Sequence, residues 1–125
     1  MQDTKKILIV EDNKDLAGVY QSRFDLEGFT TFVVFDGEKA LATATEFVPD
    51  LTLLDIMLPE INGFDVLDIL KNTPKTKHIK VVMLTALSQP QDKERALLIG
   101  ADDYLIKSKT SLNEIVDCAK KHLLA

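Results

Sequence analysis

Short apolar runs alternate along the chain with longer stretches in which apolar residues recur every three or four positions. The short runs, rich in Ile, Val and Leu, are typical of strands that are covered on both faces. They occupy residues 5–10, 30–34, 51–54, 79–84 and 103–106. The pattern therefore predicts five strands.

The stretches between and after these runs predict five helices, because residues that favour helix ends stand at their boundaries. Asn13 is a suitable N-cap for the first helix, the second helix follows Asp36, and Ser111 opens a capping box before the last. The third helix begins near Gly63 and the fourth around Ser88. Helices and strands therefore alternate strictly.

Strict alternation predicts an all-parallel sheet with helices on both faces. For five strands, the flavodoxin-like, doubly wound order 2-1-3-4-5 is the natural choice. We therefore expect one α/β domain of the (βα)5 type over residues 1–125, with no effector domain.

Composition and charge narrow the function classes. The chain is 46% apolar, enough for a buried core, and no apolar run approaches the length of a membrane span. A net charge of −5 argues against a nucleic-acid-binding face. The single cysteine, Cys118, fits a reducing cytoplasm, and we expect it to be a small packed apolar group. His78 and His122 lie near no pair of cysteines, so the sequence does not favour a zinc site.

Polar residues follow four of the predicted strands at their carboxyl ends. Glu11 and Asp12 follow the first strand, Asp55 the third, Thr85 the fourth and Lys107 the fifth. In the order 2-1-3-4-5 these four strands are neighbours, and open α/β sheets bind ligands beyond the carboxyl ends of their strands. We therefore expect these side chains to share one crevice.

The chemistry of this set indicates phosphoryl transfer. Three carboxylates repel one another unless a cation joins them, and donors that are all oxygen suit Mg²⁺, with Mn²⁺ as a substitute. Lys107 can pair with Asp55 or with a phosphoryl oxygen, and Thr85 supplies a hydroxyl. An Asp carboxylate is an established phosphoryl acceptor, so Asp55 is the candidate nucleophile.

Four segments together resemble the receiver domain of two-component response regulators. They are ILIVEDN at the first strand end, LTLLDIMLPEINGFDVL around Asp55, VVMLTA at Thr85 and GADDYLIK at Lys107. The resemblance spans essentially the whole chain. It implies a cytoplasmic phosphoacceptor switch rather than a turnover enzyme. The implied partners are a histidine kinase or histidine phosphotransfer protein and an unknown output protein or domain, with no direct nucleic-acid or membrane contact.

The same resemblance implies a role for each residue of the crevice. The phosphoacceptor would be Asp55. The Mg²⁺ ligands would be Glu11, Asp12, Asp55 and the backbone carbonyl of Met57. The groups that contact the phosphoryl group would be Thr85, Lys107 and the backbone of Ala86. Tyr104 would be the switch aromatic, which turns inward when Thr85 moves toward the phosphoryl group and so reshapes the surface of the fourth helix, fifth strand and fifth helix.

One position departs from the family pattern, since Ser108 follows Lys107 where receivers typically have a proline after a cis bond. A cis bond before a residue other than proline costs about 3 kcal/mol. The sequence therefore predicts either a strained cis bond or a relaxed trans bond between Lys107 and Ser108.

Three other classes of protein are alternatives. A phosphatase of the haloacid-dehalogenase kind would need a second Asp two residues after Asp55, where Met57 stands. A flavodoxin would need a phosphate loop rich in Gly and hydroxyl groups after the first strand, where Glu11 and Asp12 would repel phosphate. The main alternative is a receiver that binds proteins without being phosphorylated. Such receivers typically lack one key residue, and none is missing here.

The fourth helix contains four consecutive apolar residues, Ala96 to Ile99, which cannot all face the core. We predict that Leu97 or Leu98 is partly exposed and belongs to a partner surface.

We predict that the phosphorylated chain loses its phosphoryl group slowly. Met57 and Leu87, each two residues beyond a key site residue, flank the path of the hydrolytic water in the family, and both are apolar here. Neither can orient an attacking water by a side-chain hydrogen bond. Loss of radiolabel from purified phosphoprotein measures the rate, and complete loss within seconds would contradict the prediction.

Overall fold

The computed structural model describes residues 4–124. The strands are β1 (Lys6–Val10), β2 (Thr30–Val34), β3 (Leu51–Leu54), β4 (Lys80–Thr85) and β5 (Asp103–Ile106). The α-helices are α1 (Lys14–Leu26), α2 (Gly37–Phe47), α3 (Gly63–Lys71), α4 (Pro90–Ile99) and α5 (Leu112–Leu124). A 3₁₀ helix covers Lys107–Lys109. All strand pairs are parallel, in the order β2-β1-β3-β4-β5, which confirms the predicted topology.

Side chains cap α1, α2 and α5 at their N-termini. Asn13 and Asp36 each accept a hydrogen bond from the backbone N–H three residues further on, at 3.0 and 2.8 Å. Ser111 and Glu114 exchange two hydrogen bonds between side chain and backbone, at 3.0 and 3.1 Å, as a capping box does. These local contacts fix where α1, α2 and α5 begin.

The core has two parts because neighbouring residues of a strand face opposite sides of the sheet. Helices α2, α3 and α4 pack on one side, against a cluster that includes Leu8 and Met83. Helices α1 and α5 pack on the other, against a cluster that includes Ile9 and Leu84. With both faces of the sheet covered, its carboxyl edge is where polar side chains collect.

None of the helices within residues 4–124 has both the length and the apolar composition that crossing a membrane requires.

Thr52 and Thr76 are both buried, but their hydroxyl groups differ in hydrogen bonding. Thr76 Oγ1 donates to the carbonyl of Leu70 at 2.8 Å. Thr52 lies in β3 with no exposed surface, and no partner for its hydroxyl occurs among residues 4–124. A buried polar group without a partner costs about 1–3 kcal/mol. The unpaired Thr52 hydroxyl therefore lowers the free energy of unfolding from a position at the centre of the sheet.

We expect Thr52→Val to raise the free energy of unfolding by about 1 kcal/mol, since it replaces the unpaired hydroxyl with a methyl group of similar shape. The same change at Thr76 should lower it by about 1–2 kcal/mol, because the Leu70 carbonyl loses its donor. Urea unfolding measures both variants. A Thr52→Val variant that is less stable than the original chain would contradict this account.

Candidate functional site

The acidic side chains meet at the carboxyl edge of the sheet, as predicted. Glu11 and Asp12 follow β1 and Asp55 follows β3, and one carboxylate oxygen of each lies within 4.8 Å of the other two. Asp55 is 4% exposed and Glu11 2%, whereas Asp12 is exposed. Two buried carboxylates and one at the rim therefore form a single acidic crevice.

Lys107 joins the two buried carboxylates. Its Nζ lies 2.8 Å from Asp55 Oδ2 and also pairs with Glu11 Oε1. Burial lowers the pKa of Lys107, but the bonds to Asp55 and Glu11 outweigh this effect, so its pKa is raised and the amine stays protonated. Three carboxylates against one ammonium leave a formal charge of −2 in the crevice.

The peptide bond between Lys107 and Ser108 is trans, as are all the peptide bonds of residues 4–124. Of the two predicted alternatives, the relaxed trans bond is therefore the one observed. Ser108 lies within the 3₁₀ helix that follows β5. Lys107 nevertheless reaches Asp55, so the missing proline does not displace the positive charge.

Backbone donors hold both buried carboxylates in place. Asn13 N–H donates to Glu11 Oε2 at 3.0 Å, and Met57 N–H donates to Asp55 Oδ1 at 3.1 Å. Each carboxylate thus has one oxygen on a backbone N–H and the other on Lys107. This arrangement fixes the orientation of both groups.

The loop after β3 is held tightly against α3. A Cβ atom on Gly63 would lie 2.2 Å from the carbonyl oxygen of Asp55, so the close approach requires glycine. Gly63 N–H donates to the Ile56 carbonyl at 2.8 Å. Glu60 has a φ of 65°, a left-handed conformation that is costly for a residue with a side chain. This packing leaves the backbone of Asp55 little freedom to shift.

Thr85 and Tyr104 both contact Leu87, in the loop after β4. Thr85 is fully buried, and its Oγ1 accepts a hydrogen bond from Leu87 N–H at 3.3 Å. Tyr104 is 6% exposed, and its hydroxyl donates to the Leu87 carbonyl at 2.9 Å. Burial, with the charges of Asp92 and Asp55, raises the pKa of Tyr104 to about 12. Tyr104 therefore lies inward here, and its rotation on phosphorylation stays a prediction.

The other predicted residues lie at the surface. Ala86 is exposed after β4, and the Met57 residue is 57% exposed after β3. Leu97 and Leu98 on α4 are 44% and 81% exposed, so the predicted exposure is observed. Their contact with a partner stays a prediction.

Tyr20 is a neighbour of the crevice that the sequence did not indicate. It lies on α1 and is 5% exposed. Burial raises the pKa of Tyr20, while the charges of Lys107, Glu11 and Asp55 also act on it. Tyr20 and Glu11 line the same small internal space, so Tyr20 lies beside the crevice. The only signal in the sequence is a tyrosine on an otherwise apolar helix stripe, which is typical of a core residue.

Comparison with known proteins agrees with this geometry. The family model described as response regulator receiver domain matches residues 7–120. The chain is 45% identical over 102 residues to transcriptional regulatory protein CpxR of Klebsiella pneumoniae. The matched segment covers 82% of this chain and 42% of that protein. It is 40% identical over 102 residues to the DNA-binding dual master transcriptional regulator RpaA of Synechocystis, with the same shares, 82% and 42%. The chain thus spans about two fifths of the length of these curated relatives.

A solved structure has the same fold. The receiver domain of Francisella response regulator 1452 matches with a TM-score of 0.88 and 30% identity, over 97% of this chain and 98% of that one. Sequence and fold thus point the same way, and the chain belongs to the response regulator receiver domain family of two-component signalling.

Proposed function

We propose that the chain is a phosphorylation switch in which Asp55 accepts a phosphoryl group from a phosphohistidine of a histidine kinase or histidine phosphotransfer protein. The observation that carries this proposal is the position of Asp55 itself. Its carboxylate is oriented by the Met57 N–H and by Lys107, beside Glu11 and Asp12, at the open edge of the sheet.

The transfer moves one phosphoryl group and leaves no free product. A carboxylate oxygen of Asp55 attacks phosphorus, the bond between phosphorus and the imidazole nitrogen breaks, and the imidazole keeps the electron pair. Lys107, which is protonated, then pairs with a phosphoryl oxygen in place of the carboxylate. The Thr85 hydroxyl and the Ala86 N–H supply further donors. The chain promotes its own modification and does not turn over an external substrate.

The acidic crevice fits Mg²⁺, with Mn²⁺ as a substitute. Its donors are all oxygen, and the formal charge of −2 left beside Lys107 equals what a divalent cation would offset. The proposed ligands are Glu11, Asp12, Asp55 and the backbone carbonyl of Met57. When bound, the ion would offset the negative charge of the phosphoryl group.

Phosphorylation would be transmitted through the Leu87 backbone. The Thr85 hydroxyl, which now accepts a hydrogen bond from Leu87 N–H, would turn to donate to the new phosphoryl oxygens. Tyr104 bonds to the carbonyl of the same Leu87 and would respond to that movement. The surface of α4, β5 and α5, with Leu97 and Leu98 exposed on it, would then contact the output protein or domain.

We expect Asp55→Asn to abolish labelling by a small phosphodonor in the presence of Mg²⁺, because an amide cannot accept the phosphoryl group. Asp50→Asn is the matched control. Asp50 stands before β3, at its opposite end, and accepts a hydrogen bond from Lys6 N–H at 2.7 Å, which an Asn oxygen can also accept. Phosphoprotein electrophoresis or intact mass measures the label.

An original chain that takes no label from either a small phosphodonor or a phosphorylated histidine kinase would contradict the proposal. That outcome would favour the protein-binding receiver that works without phosphorylation. Label retained by Asp55→Asn would place the phosphoacceptor elsewhere.

We expect charge changes in the crevice to alter Mg²⁺ affinity in opposite directions. Lys107→Met should raise the affinity by about tenfold, since it removes a cation next to two ligands, and Asp12→Asn should lower it by about tenfold or more. Isothermal titration calorimetry with MgCl₂ measures both changes.

Two nearby residues provide controls of equal charge outside the crevice. Lys109 lies in the same 3₁₀ helix as Lys107, Asp15 lies in the first turn of α1, and both side chains are exposed. The control variants are Lys109→Met and Asp15→Asn. Each should leave the Mg²⁺ affinity within about twofold, because solvent screens exposed charges. Equal effects of Lys107→Met and Lys109→Met would show that general charge, not the crevice, governs binding.

A further inference from the structure

A second cluster of side chains that could hold a metal ion lies between β5 and α5, away from the acidic crevice. Asp103, Cys118 and His122 each offer one ligand atom, and the three atoms lie within 4.8 Å of one another. Cys118 Sγ is 3.2 Å and His122 Nε2 is 3.0 Å from the same oxygen, Asp103 Oδ2. Cys118 is buried, as expected, but its sulfur contacts a carboxylate, so its surroundings are not purely apolar.

The three side chains are held by regular structure rather than by loops. Cys118 and His122 are four residues apart on α5, so they lie on the same face, one turn apart. Ile115 and Ala119 bury the neighbouring face of this helix against the sheet. Asp103 is the first residue of β5, and its other oxygen, Oδ1, accepts a hydrogen bond from Tyr104 N–H at 2.9 Å. Such a contact orients a ligating carboxylate.

The distances are close to those of a tetrahedral zinc site. With bond lengths of about 2.3 Å to sulfur and about 2.1 Å to nitrogen and oxygen, the ligand atoms of a tetrahedron are about 3.6 Å apart for sulfur and oxygen and about 3.4 Å apart for nitrogen and oxygen. The observed separations are 3.2 and 3.0 Å. An opening of about 0.4 Å, within reach of side-chain rotation, would admit the ion.

We propose that Asp103, Cys118 and His122 form a Zn²⁺ site with three protein ligands and a fourth position open to solvent. The donor set of sulfur, nitrogen and oxygen suits Zn²⁺ and does not suit Mg²⁺, which takes oxygen ligands. On ligation the thiol proton of Cys118 leaves to the buffer. This proposal does not rest on the proposed phosphorylation of Asp55.

The surroundings leave room for the fourth ligand. A surface depression of about 450 Å³ is lined in part by Asp103 and Cys118, which gives solvent access to the site. The ammonium of Lys121 lies 3.4 Å from Asp103 Oδ2, where it would oppose a metal ion. Its side chain is 67% exposed and can turn into solvent, so this opposition is weak. An ion here would tie α5 to β5, next to Tyr104.

Titration of the whole chain with Co²⁺, a spectroscopic substitute for Zn²⁺, tests the proposal in the presence of saturating Mg²⁺. We expect one equivalent of Co²⁺ to produce a thiolate-to-metal charge-transfer band, which Zn²⁺ removes by displacement. Cys118 is the single cysteine of the chain, so the band can come from no other residue. The band should be lost in Cys118→Ser, and Co²⁺ affinity should fall at least tenfold in His122→Gln and in Asp103→Asn.

Matched variants make the result decisive. His78→Gln removes the other histidine, and Asp55→Asn changes the acidic crevice, and both should keep the band and the affinity. Absence of the band in the original chain would overturn the proposal, and so would an unchanged affinity in His122→Gln or an equal loss in His78→Gln.

A second measurement covers the case in which Cys118→Ser does not fold. Zn²⁺ should raise the melting temperature of the original chain, because an ion that binds only the folded state stabilises it. The rise should be at least halved in His122→Gln, whose side chain is nearer the surface. An equal rise in both proteins would contradict the site.

Discussion

One lysine between two buried carboxylates determines the charge balance at the carboxyl edge of the sheet. Glu11 and Asp55 have little water around them, so without Lys107 their charges would repel each other at close range. One positive charge offsets only part of the three negative charges. The remaining charge favours a divalent cation, and the same lysine can turn from a carboxylate to a phosphoryl oxygen. Folding stability and proposed chemistry thus depend on the same ion pairs.

The backbone and side chain of Asp55 are restrained by their contacts, and this restraint favours the ion pair with Lys107. The carboxylate oxygens are divided between backbone N–H groups and Lys107, while Gly63 packs directly on the Asp55 carbonyl. Glu60 accepts a left-handed conformation to complete the turn. A loop under this much steric restraint keeps a nucleophile in one orientation, which phosphoryl transfer requires, because its catalysis is mainly positioning.

Strand β5 carries two different contacts on its two faces. Tyr104 faces the cluster packed by α2, α3 and α4, and bonds to the Leu87 backbone that Thr85 also contacts. Asp103, the preceding residue, gathers Cys118 and His122 from α5. Adjacent residues of a strand point to opposite sides of the sheet. Tyr104 and Asp103 are therefore joined by one peptide bond although their side chains lie on opposite faces. The proposed zinc site and the proposed switch would therefore share a strand.

The sequence by itself determined the five strands, the five helices, the strand order and the convergence of Glu11, Asp12 and Asp55. These features follow from local periodicity, capping residues and the rule that parallel strands place their carboxyl ends at one edge. Only the tertiary structure decided that Lys107 contacts Asp55 although its bond to Ser108 is trans, that Tyr104 lies inward, and that Tyr20 lies beside the crevice. It also brought Asp103 to Cys118, which is fifteen positions away in sequence. Such contacts depend on how helices settle on the sheet, and side-chain packing across elements leaves no periodic signal along the chain.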